Sequence, residues 1–294
     1  MDWNLLEAKI VAAVSNIGLD LLFVLAFRMG VQGVALATII SQGCSAVWVL
    51  RFLFGKTVAI PLRIRSIRIR RDITRDIFRL GTANFIMQGT NCLVQVACNS
   101  TLQIFGGDLY VGIMTVVNSI REIFMLPLSG MVGGAQPVIS YNYGAGANDR
   151  VKAGIRFNTL FGAGYTLAAW AVIVAVPLFW FRIFSDDPQL AEMGVAALRL
   201  YFFGFVFMAL QSAGQNTFQS LGMSKHAVFF SLLRKVIIVA PLTVILPRIG
   251  FGVSGVFMAE PVSNVIGGTA SFTGMYFMVY RKLGKEPVKG TARV

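Results

Sequence analysis

GVQGVALATIIS, residues 30–41, and GVSGVFMAEPVS, residues 252–263, share the pattern G-V-x-G-V-x-x-A-x-x-x-S at a separation of 222 positions. Each copy opens an apolar segment after a short, nearly uncharged turn. A repeat this widely spaced predicts a protein of two related halves with a binding site between them. Because the second half starts near residue 80, its counterpart would begin about 140 residues before the present chain, so we expect that part of the first half to be absent.

The composition is that of a membrane protein. Hydrophobic residues make up 56% of the chain and charged residues only 13%, whereas about a quarter of the residues of a soluble domain are charged. The charges cluster between long apolar runs, as they do in proteins that cross a bilayer. The runs predict eight transmembrane helices, near residues 5–27, 31–54, 80–105, 109–140, 155–181, 192–220, 227–247 and 251–280.

The net charge of +13 follows the predicted topology. Of the 26 lysines and arginines, 20 fall on one side of the eight-span arrangement and six on the other. This count assigns Lys225, Arg234 and Lys235 to the loop after the sixth span, although the predicted seventh span, 227–247, includes the last two. The positive-inside rule then puts both termini in the cytoplasm. Since no aromatic-rich basic motif accompanies the charge, we expect no nucleic-acid partner.

The domain boundaries follow from the repeat and from the longest polar interruption. We predict that residues 1–54 are the last two helices of a first lobe and that 55–79 form a basic cytoplasmic linker, attracted to anionic lipid headgroups. Residues 80–281 would form a complete six-helix second lobe, and 282–294 a basic cytoplasmic tail. Six helices is an even number, so both lobes cross the membrane in the same sense. The predicted fold is an all-α polytopic membrane protein, a transporter with a parallel repeat.

Stripes of polar side chains run along three of the predicted spans. The third span carries five carboxamides, within an arc of roughly 80° on one helix face. Polar groups that face lipid would lack hydrogen-bond partners. We therefore favour a water-filled substrate cavity, with polar contacts between helices as the alternative. The carboxamides of the third span are Asn84, Gln88, Asn91, Gln95 and Asn99. The predicted cavity residues are Gln88, Asn91, Gln95, Asn118, Glu122, Gln211, Gln215 and Glu260.

Three acids lie inside predicted spans, where a carboxylate normally pairs, takes up a proton or binds a cation. Asp20 follows Asn16 by one helical turn and has no cation within reach on its own helix, which favours a functional role. Glu122 follows Arg121, so an ion pair is the structural alternative there. Glu260 precedes a proline, and a kink and a functional role remain equal alternatives.

The remaining reactive residues predict neither an enzyme nor a metal centre. Cys44, Cys92 and Cys98 all lie in predicted spans, and the last two point to different faces of one helix. We expect no disulfide, metal site or bound cofactor. No phosphate-binding loop or pairing of a nucleophile with a base is found.

The fourth span ends in a recognisable sequence. Residues 133–145, GGAQPVISYNYGA, resemble the Q-P-x-x-x-Y-N-Y-G-A signature in the second lobe of the multidrug and toxic compound extrusion (MATE) transporters. Asn16-x-x-x-Asp20 with Gly33-x-x-x-Ala37-Thr38 is similar to the family's fifth and sixth helices. The family's helices eleven and twelve are similar to Leu233-Arg234-Lys235 through Pro241 and Pro247, followed by Gly252-Val253-x-Gly255-Val256. The resemblance therefore covers nearly the whole chain. The signature and hinge residues are Pro127, Gln136, Pro137, Tyr141, Asn142 and Gly144.

The resemblance implies a twelve-helix antiporter in the plasma membrane that expels cationic or amphipathic small molecules in exchange for protons or sodium ions. It also implies a cation site to which Asn16, Asp20 and Thr38 contribute. The helix-one aspartate and the helix-four residues that complete that site have no counterpart here. In the internal repeat Thr38 aligns with Glu260, which suggests that Glu260 gives the second lobe its own charged position.

Two alternatives remain open at this point. The first is an exporter of lipid-linked precursors or polysaccharides from the same superfamily, for which a more cationic cavity is usual. The second is a truncated, inactive membrane fragment, or a chain that works with a missing N-terminal portion. The expected partners are small-molecule drugs or toxic compounds and membrane lipid. Neither the substrate nor the choice between proton and sodium follows from the sequence.

Overall fold

The computed structural model of the chain describes residues 3–55 and 70–284. Within these ranges the chain is almost entirely helical and contains no strand, which confirms the all-α prediction. Most of the predicted basic linker and most of the basic tail lie outside the described residues. The chain divides into two compact units, Met1–Thr74 and Arg75–Val294. The assignment of these units to two lobes stays a prediction.

The first unit is a helical hairpin. Helix α1, Trp3–Leu21, continues as a π-helical turn over Leu22–Ala26, and α2 spans Gly30–Leu53. The connection turns through Arg28 and Gly30, whose φ angles are 51° and 57°. This left-handed conformation is readily adopted by glycine but costs free energy for arginine.

A long broken helix supplies the first part of the second unit, from Arg75 onward. Helix α3, Arg71–Gly144, is interrupted at Gly107, where φ is 69° and ψ is −167°. Glycine alone adopts this conformation without strain, and the break divides α3 into arms over 71–106 and 108–144. Pro127 and Pro137 both lie inside the second arm.

Shorter helices complete the second unit. After α3 come α4 Asn148–Ala175, α5 Pro177–Phe184, α6 Pro188–Phe202 and α7 Phe207–Ser220. Then follow α8 Ser224–Leu232, α9 Ala240–Leu246 and α10 Gly252–Met275. π-helical turns over Leu233–Val239, Pro247–Phe251 and Tyr276–Tyr280 follow α8, α9 and α10. Proline at the first position of α5 and α6 suits a helix start, since it has no N–H to leave unpaired.

Four stretches of the described residues are long and apolar enough to cross a membrane: Gly30–Leu53, Phe85–Gly144, Asn148–Ala175 and Ser224–Tyr280. The pair α6 and α7, bent by 49°, makes a fifth if it counts as one span. Phe85–Gly144 has 60 residues and Ser224–Tyr280 has 57. Each is far longer than the roughly 20 residues that one crossing needs. The count of eight crossings stays a prediction.

The repeat of GVQGVALATIIS and GVSGVFMAEPVS marks two equivalent helix contacts. Three of its four shared small positions are buried in both copies: Gly33, Ala37 and Ser41 in α2, and Gly255, Ala259 and Ser263 in α10. A Cβ on Gly33 would lie 2.9 Å from the Cβ of Phe23, and one on Gly255 would lie 2.8 Å from Leu246. In each copy the small residues therefore let the helix pack closely against the segment that precedes it.

Packing inside the second unit combines aromatic side chains with close backbone contacts. Phe181, Phe202 and Phe257 are buried in one apolar cluster. Where α7 meets α10, a Cβ on Gly214 would lie only 2.5 Å from the Oγ of Ser271. Large apolar side chains are exposed on the outside of the same unit, for example Phe85 and Leu93, at 77% and 72%. An apolar exterior of this kind suits contact with lipid.

Candidate functional site

A polar pocket lies among the helices of the second unit. Its volume is about 230 Å³, and both arms of α3, α6, α10 and the π-helical turn at Leu233–Val239 contribute side chains. The lining residues are Asn91, Val94, Gln95, Cys98, Met114, Asn118, Arg121, Glu122, Tyr201, Lys235, Val239, Val256, Ala259 and Glu260. The pocket thus combines carboxamides and charged groups with an apolar wall.

Five of the predicted cavity residues line this pocket. Asn91 and Gln95 come from the first arm of α3, Asn118 and Glu122 from the second arm, and Glu260 from α10. The break at Gly107 lets the two arms of one helix contribute to the same pocket. Periodicity within each span predicts which residues share a face, and the break brings the two faces together.

The other three predicted cavity residues lie outside the pocket lining. Gln88 is exposed, and its Oε1 accepts a hydrogen bond of 2.9 Å from the Nδ2 of Asn91. Gln211 is buried within α7. The Nε2 of Gln215 donates to the carbonyl of Ala227 at 3.4 Å. The contact of Gln215 is of the kind that the alternative reading, polar contacts between helices, expects.

Both acids that line the pocket form ion pairs with arginines. The Nη2 of Arg121 lies 2.8 Å from the Oε1 of Glu122, and the side chain of Glu122 is 68% exposed. The Nη1 of Arg234 lies 2.9 Å from the Oε1 of Glu260, and these side chains are only 6% and 13% exposed. The same Nη1 donates to the Oδ1 of Asn264 at 2.6 Å. Glu260 therefore has the buried partner that a carboxylate at this depth requires.

Arg234 fits against α10 because Gly267 has no side chain. A Cβ on Gly267 of α10 would lie 2.6 Å from the Cγ of Arg234 and 2.8 Å from its Cβ. The aliphatic part of the arginine therefore packs directly on the backbone of α10. This contact positions the guanidinium beside Glu260 and Asn264, which lie on the same helix.

The charge count that assigned Arg234 and Lys235 to a cytoplasmic loop was wrong, whereas the predicted span 227–247 already included both residues. Both residues lie in the π-helical turn Leu233–Val239, inside the stretch Ser224–Tyr280 that is apolar enough to cross a membrane. Arg234 is buried against α10, and Lys235 lines the pocket. The count of charges per side treats every lysine and arginine as solvated. An arginine whose buried carboxylate partner lies 26 positions further along the chain is not solvated.

Sequence reasoning also missed two other polar contributors. The hydroxyl of Tyr201 donates to the Oδ1 of Asn118 at 3.4 Å, and the Sγ of Cys98 lies 3.6 Å from the Oγ1 of Thr243. Tyr201 belongs to a span whose glutamines attracted attention instead. The sequence did contain a feature that indicates a membrane-embedded position for Arg234 and Lys235. Both lie inside an apolar run that starts at residue 227.

The three predicted cation-coupling residues lie in the first unit. Asn16 and Asp20 are one turn apart on α1. The Nδ2 of Asn16 and the Oδ1 of Asp20 are buried without a hydrogen-bond partner among the described residues. Thr38 lies on α2, which packs against α1, and its Oγ1 donates to the carbonyl of Val34 at 2.9 Å. A buried carboxylate oxygen without a donor would accept a proton or a cation.

The signature residues form the end of α3. Gly144 is its last residue, and the N–H groups of Ala145 and Ala147 donate to the carbonyls of Tyr141 and Asn142 at 3.0 and 2.9 Å. The Oγ of Ser140 donates to the carbonyl of Ser220 at 2.8 Å, which ties this end to the end of α7. The C-terminal part of the signature, residues 140–145, thus forms the end of the helix, and none of the residues from Gln136 to Gly144 lines the pocket.

The apolar helices define a multi-pass membrane protein, and comparison with known proteins identifies its family. The MatE family model matches residues 84–245, more than half of the chain. The chain therefore belongs to the MATE family of transporters, as the signature in α3 predicted.

Curated relatives resemble the chain at low identity but over most of its length. The multidrug export protein MepA of Staphylococcus aureus strain NCTC 8325 is 22% identical over 271 residues, which are 90% of this chain and 57% of MepA. MepA of Staphylococcus saprophyticus is 20% identical over 267 residues, 91% of this chain and 58% of that protein. The chain thus spans somewhat more than half the length of these relatives.

Solved structures share the fold. An outward-facing multidrug resistance MATE family transporter of the MOP superfamily matches with a TM-score of 0.87 at 21% identity, over 95% of this chain and 62% of that one. A MOP superfamily transporter from Pyrococcus furiosus matches with the same TM-score and identity, over 95% of this chain and 63% of that one. At this identity the likeness describes the architecture of the helices.

Proposed function

We propose that the chain belongs to a secondary transporter that exports small amphipathic molecules in exchange for protons or sodium ions. The observation that carries this proposal is the pocket of carboxamides and charged groups among apolar helices, in a chain of the MatE family. Relatives that bear the name multidrug export protein support it. The protein would act in the plasma membrane, as an antiporter and not as an enzyme.

The proposed architecture has eight crossings. Residues 1–54 would supply the last two helices of a first lobe, and residues 80–281 a complete six-helix second lobe. Both termini would be cytoplasmic. The lengths of Phe85–Gly144 and Ser224–Tyr280 support two crossings for each of them.

Coupling would depend on Asn16, Asp20 and Thr38. Two buried atoms that lack a partner among the described residues, the Nδ2 of Asn16 and the Oδ1 of Asp20, support a site that is completed by a transported ion. A proton would neutralise the carboxylate, and a sodium ion would take oxygen ligands from it. Either ion drives export only if it binds the inward- and outward-facing states with different affinities.

The substrate would bind in the polar pocket. Asn91, Gln95 and Asn118 offer neutral donors and acceptors, and Val94, Met114 and Val256 offer an apolar wall. Gln88, Gln211 and Gln215 do not line the pocket, so they would affect the substrate path only indirectly, through the packing of the helices around it. The family resemblance implies cationic or amphipathic drugs, and we propose the broader amphipathic class.

The proposal predicts that Asp20→Asn abolishes gradient-dependent efflux. The amide keeps the shape of the carboxylate but neither takes up a proton nor carries the charge that holds a cation. Efflux of a fluorescent amphipathic dye from membrane vesicles, under an imposed proton or sodium gradient, measures the effect, and immunoblotting checks membrane abundance. The gradient that drives the wild-type chain identifies the ion.

Asp149→Asn is the matched control, since Asp149 is an exposed aspartate in the first turn of α4. It should leave efflux unchanged. Retained gradient-dependent efflux in Asp20→Asn would refute the role of Asp20. A wild-type chain that gives no more efflux than vesicles without it, under either gradient, would contradict export itself.

A further inference from the structure

The polar pocket of the second unit contains more positive groups than its acids neutralise. Each acid that lines it has an arginine partner: Glu122 pairs with Arg121, and Glu260 pairs with Arg234. Lys235 lines the same pocket, and within residues 3–55 and 70–284 no carboxylate pairs with it. One positive charge is therefore left for a ligand to neutralise.

Unused hydrogen-bonding groups favour the same kind of ligand. The Nε of Arg121 is buried without an acceptor in the described part of the chain, so a second cationic donor is available beside Lys235. The Oδ1 of Asn91 is a buried acceptor that also lacks a partner there. A ligand that carries an acidic group together with an N–H or O–H donor would satisfy both.

A cationic ligand would be at a disadvantage in this pocket. The charge of each acid is already compensated, so a cationic ligand would have to compete with Arg121 for Glu122 or break the pair of Arg234 and Glu260, which is buried and further bonded to Asn264. Breaking a buried pair leaves one charge without compensation. It would also meet the ammonium of Lys235, which has no carboxylate partner among the described residues, and like charges repel.

We propose that this pocket binds the acidic group of an amphipathic compound, with Lys235 as its cationic partner. The inference rests on the proposed function, because it takes the pocket to be the substrate site, and it narrows the substrate class. Charge-assisted hydrogen bonds from an ammonium to a carboxylate or phosphate are stronger than bonds between neutral groups. The apolar residues Val94, Met114 and Val256 would contact the rest of the molecule.

Binding of three probes that share one fluorophore tests the proposal. Dansylglycine is anionic, dansylamide is neutral and dansylcadaverine is cationic. Titrated against the purified chain in nanodiscs of phosphatidylcholine, dansylglycine should bind most tightly and dansylcadaverine most weakly. Lys235→Gln should weaken the binding of dansylglycine by about tenfold or more. It should leave dansylamide unchanged, and Lys235→Arg should retain most of the affinity for dansylglycine.

Lys225→Gln is the matched control, because Lys225 is exposed at the start of α8 and does not line the pocket. It should leave the binding of all three probes unchanged. Tighter binding of dansylcadaverine than of dansylglycine would overturn the proposal. An equal loss for all three probes in Lys235→Gln would overturn it too, since that result indicates a structural role. If the substituted chains do not fold, the order of the three probes on the wild-type chain still decides.

Two further measurements distinguish a lipid from a soluble acidic ligand, and the acidic-ligand proposal from the export proposal. Phosphatidylglycerol added to the nanodiscs should compete with dansylglycine if the acidic ligand is a lipid, and should not compete if it is a soluble compound. The binding assay needs no gradient. Tight dansylglycine binding without efflux would therefore contradict export and support an acidic ligand. Efflux without a preference for the anionic probe would support export and contradict the acidic ligand.

Discussion

At the scale of single residues, the most consequential contact is the buried pair of Arg234 and Glu260. The repeat aligns Glu260 with Thr38, so its position suggested a second charged site. In the structure its carboxylate accepts from Arg234, which also donates to Asn264. The aliphatic part of Arg234 fits because Gly267 has no side chain. Glu260 thus shapes the pocket as one half of a neutral pair.

This pair gives a prediction for stability. Arg234→Gln should lower the free energy of unfolding by about 3–5 kcal/mol, because the carboxylate of Glu260 stays buried without its charged partner. The double variant Arg234→Gln with Glu260→Gln should recover much of that loss, since both charges are removed together. Thermal unfolding of the purified chains in detergent measures the difference. A double variant as unstable as the sum of the two single variants would show that the residues act independently.

At the scale of elements, small residues decide where helices meet. Three shared positions of the repeat are buried in both copies, Gly33, Ala37 and Ser41 in α2 and Gly255, Ala259 and Ser263 in α10, so this part of the pattern corresponds to a packing contact. A Cβ added to Gly255 would lie only 2.8 Å from backbone atoms of Leu246 and Pro247. Even a methyl group at this position would force the two segments apart.

Gly255→Ala should therefore destabilise the chain by about 1–3 kcal/mol, because overpacking at a backbone contact cannot be relieved by a change of rotamer. Gly164→Ala is the control. Gly164 lies inside α4 with nothing within 4 Å of the added methyl group, so alanine should be neutral or slightly stabilising there. The shift in melting temperature of each variant measures the effect. Equal shifts for the two glycines would contradict the packing role of the repeat.

At the scale of the whole molecule, charge outside the spans sets the topology. Moving Arg234 and Lys235 out of the loop count leaves 18 of the 26 lysines and arginines on the predicted cytoplasmic side, still a clear excess. The prediction that both termini are cytoplasmic does not depend on those two residues.

A fusion of alkaline phosphatase to the C-terminus should therefore be inactive, while a green fluorescent protein fused there should fluoresce. Phosphatase fused after Asp186, between α5 and α6, should be active, because that connection lies on the opposite side in the eight-span arrangement. Enzyme activity and fluorescence in intact cells, compared at equal abundance, measure the topology. An active phosphatase at the C-terminus would invert the assignment.

Much of the fold could be predicted from the sequence, because apolar length and charge distribution are properties of continuous segments. The apolar runs predicted the helices, and the signature at Gln136-Pro137 predicted the family that the comparison confirms. Even the break at Gly107 falls in the gap between the predicted spans 80–105 and 109–140. Less of the site could be predicted. Periodicity groups residues of one helix but does not reveal which faces of different helices meet.

The sequence by itself determined that this is an all-α membrane protein of the MATE family with polar stripes in its helices. Only the tertiary structure decided that Asn91, Gln95, Asn118, Glu122 and Glu260 share a pocket while Gln88, Gln211 and Gln215 do not line it. It also decided that each acid of the pocket has an arginine partner, and that Lys235 has no carboxylate partner within residues 3–55 and 70–284. The physical reason is that the sequence shows where a charged side chain lies in an apolar run and must lose hydration free energy. The oppositely charged side chain that compensates this loss lies on another helix, so only the tertiary structure identifies it.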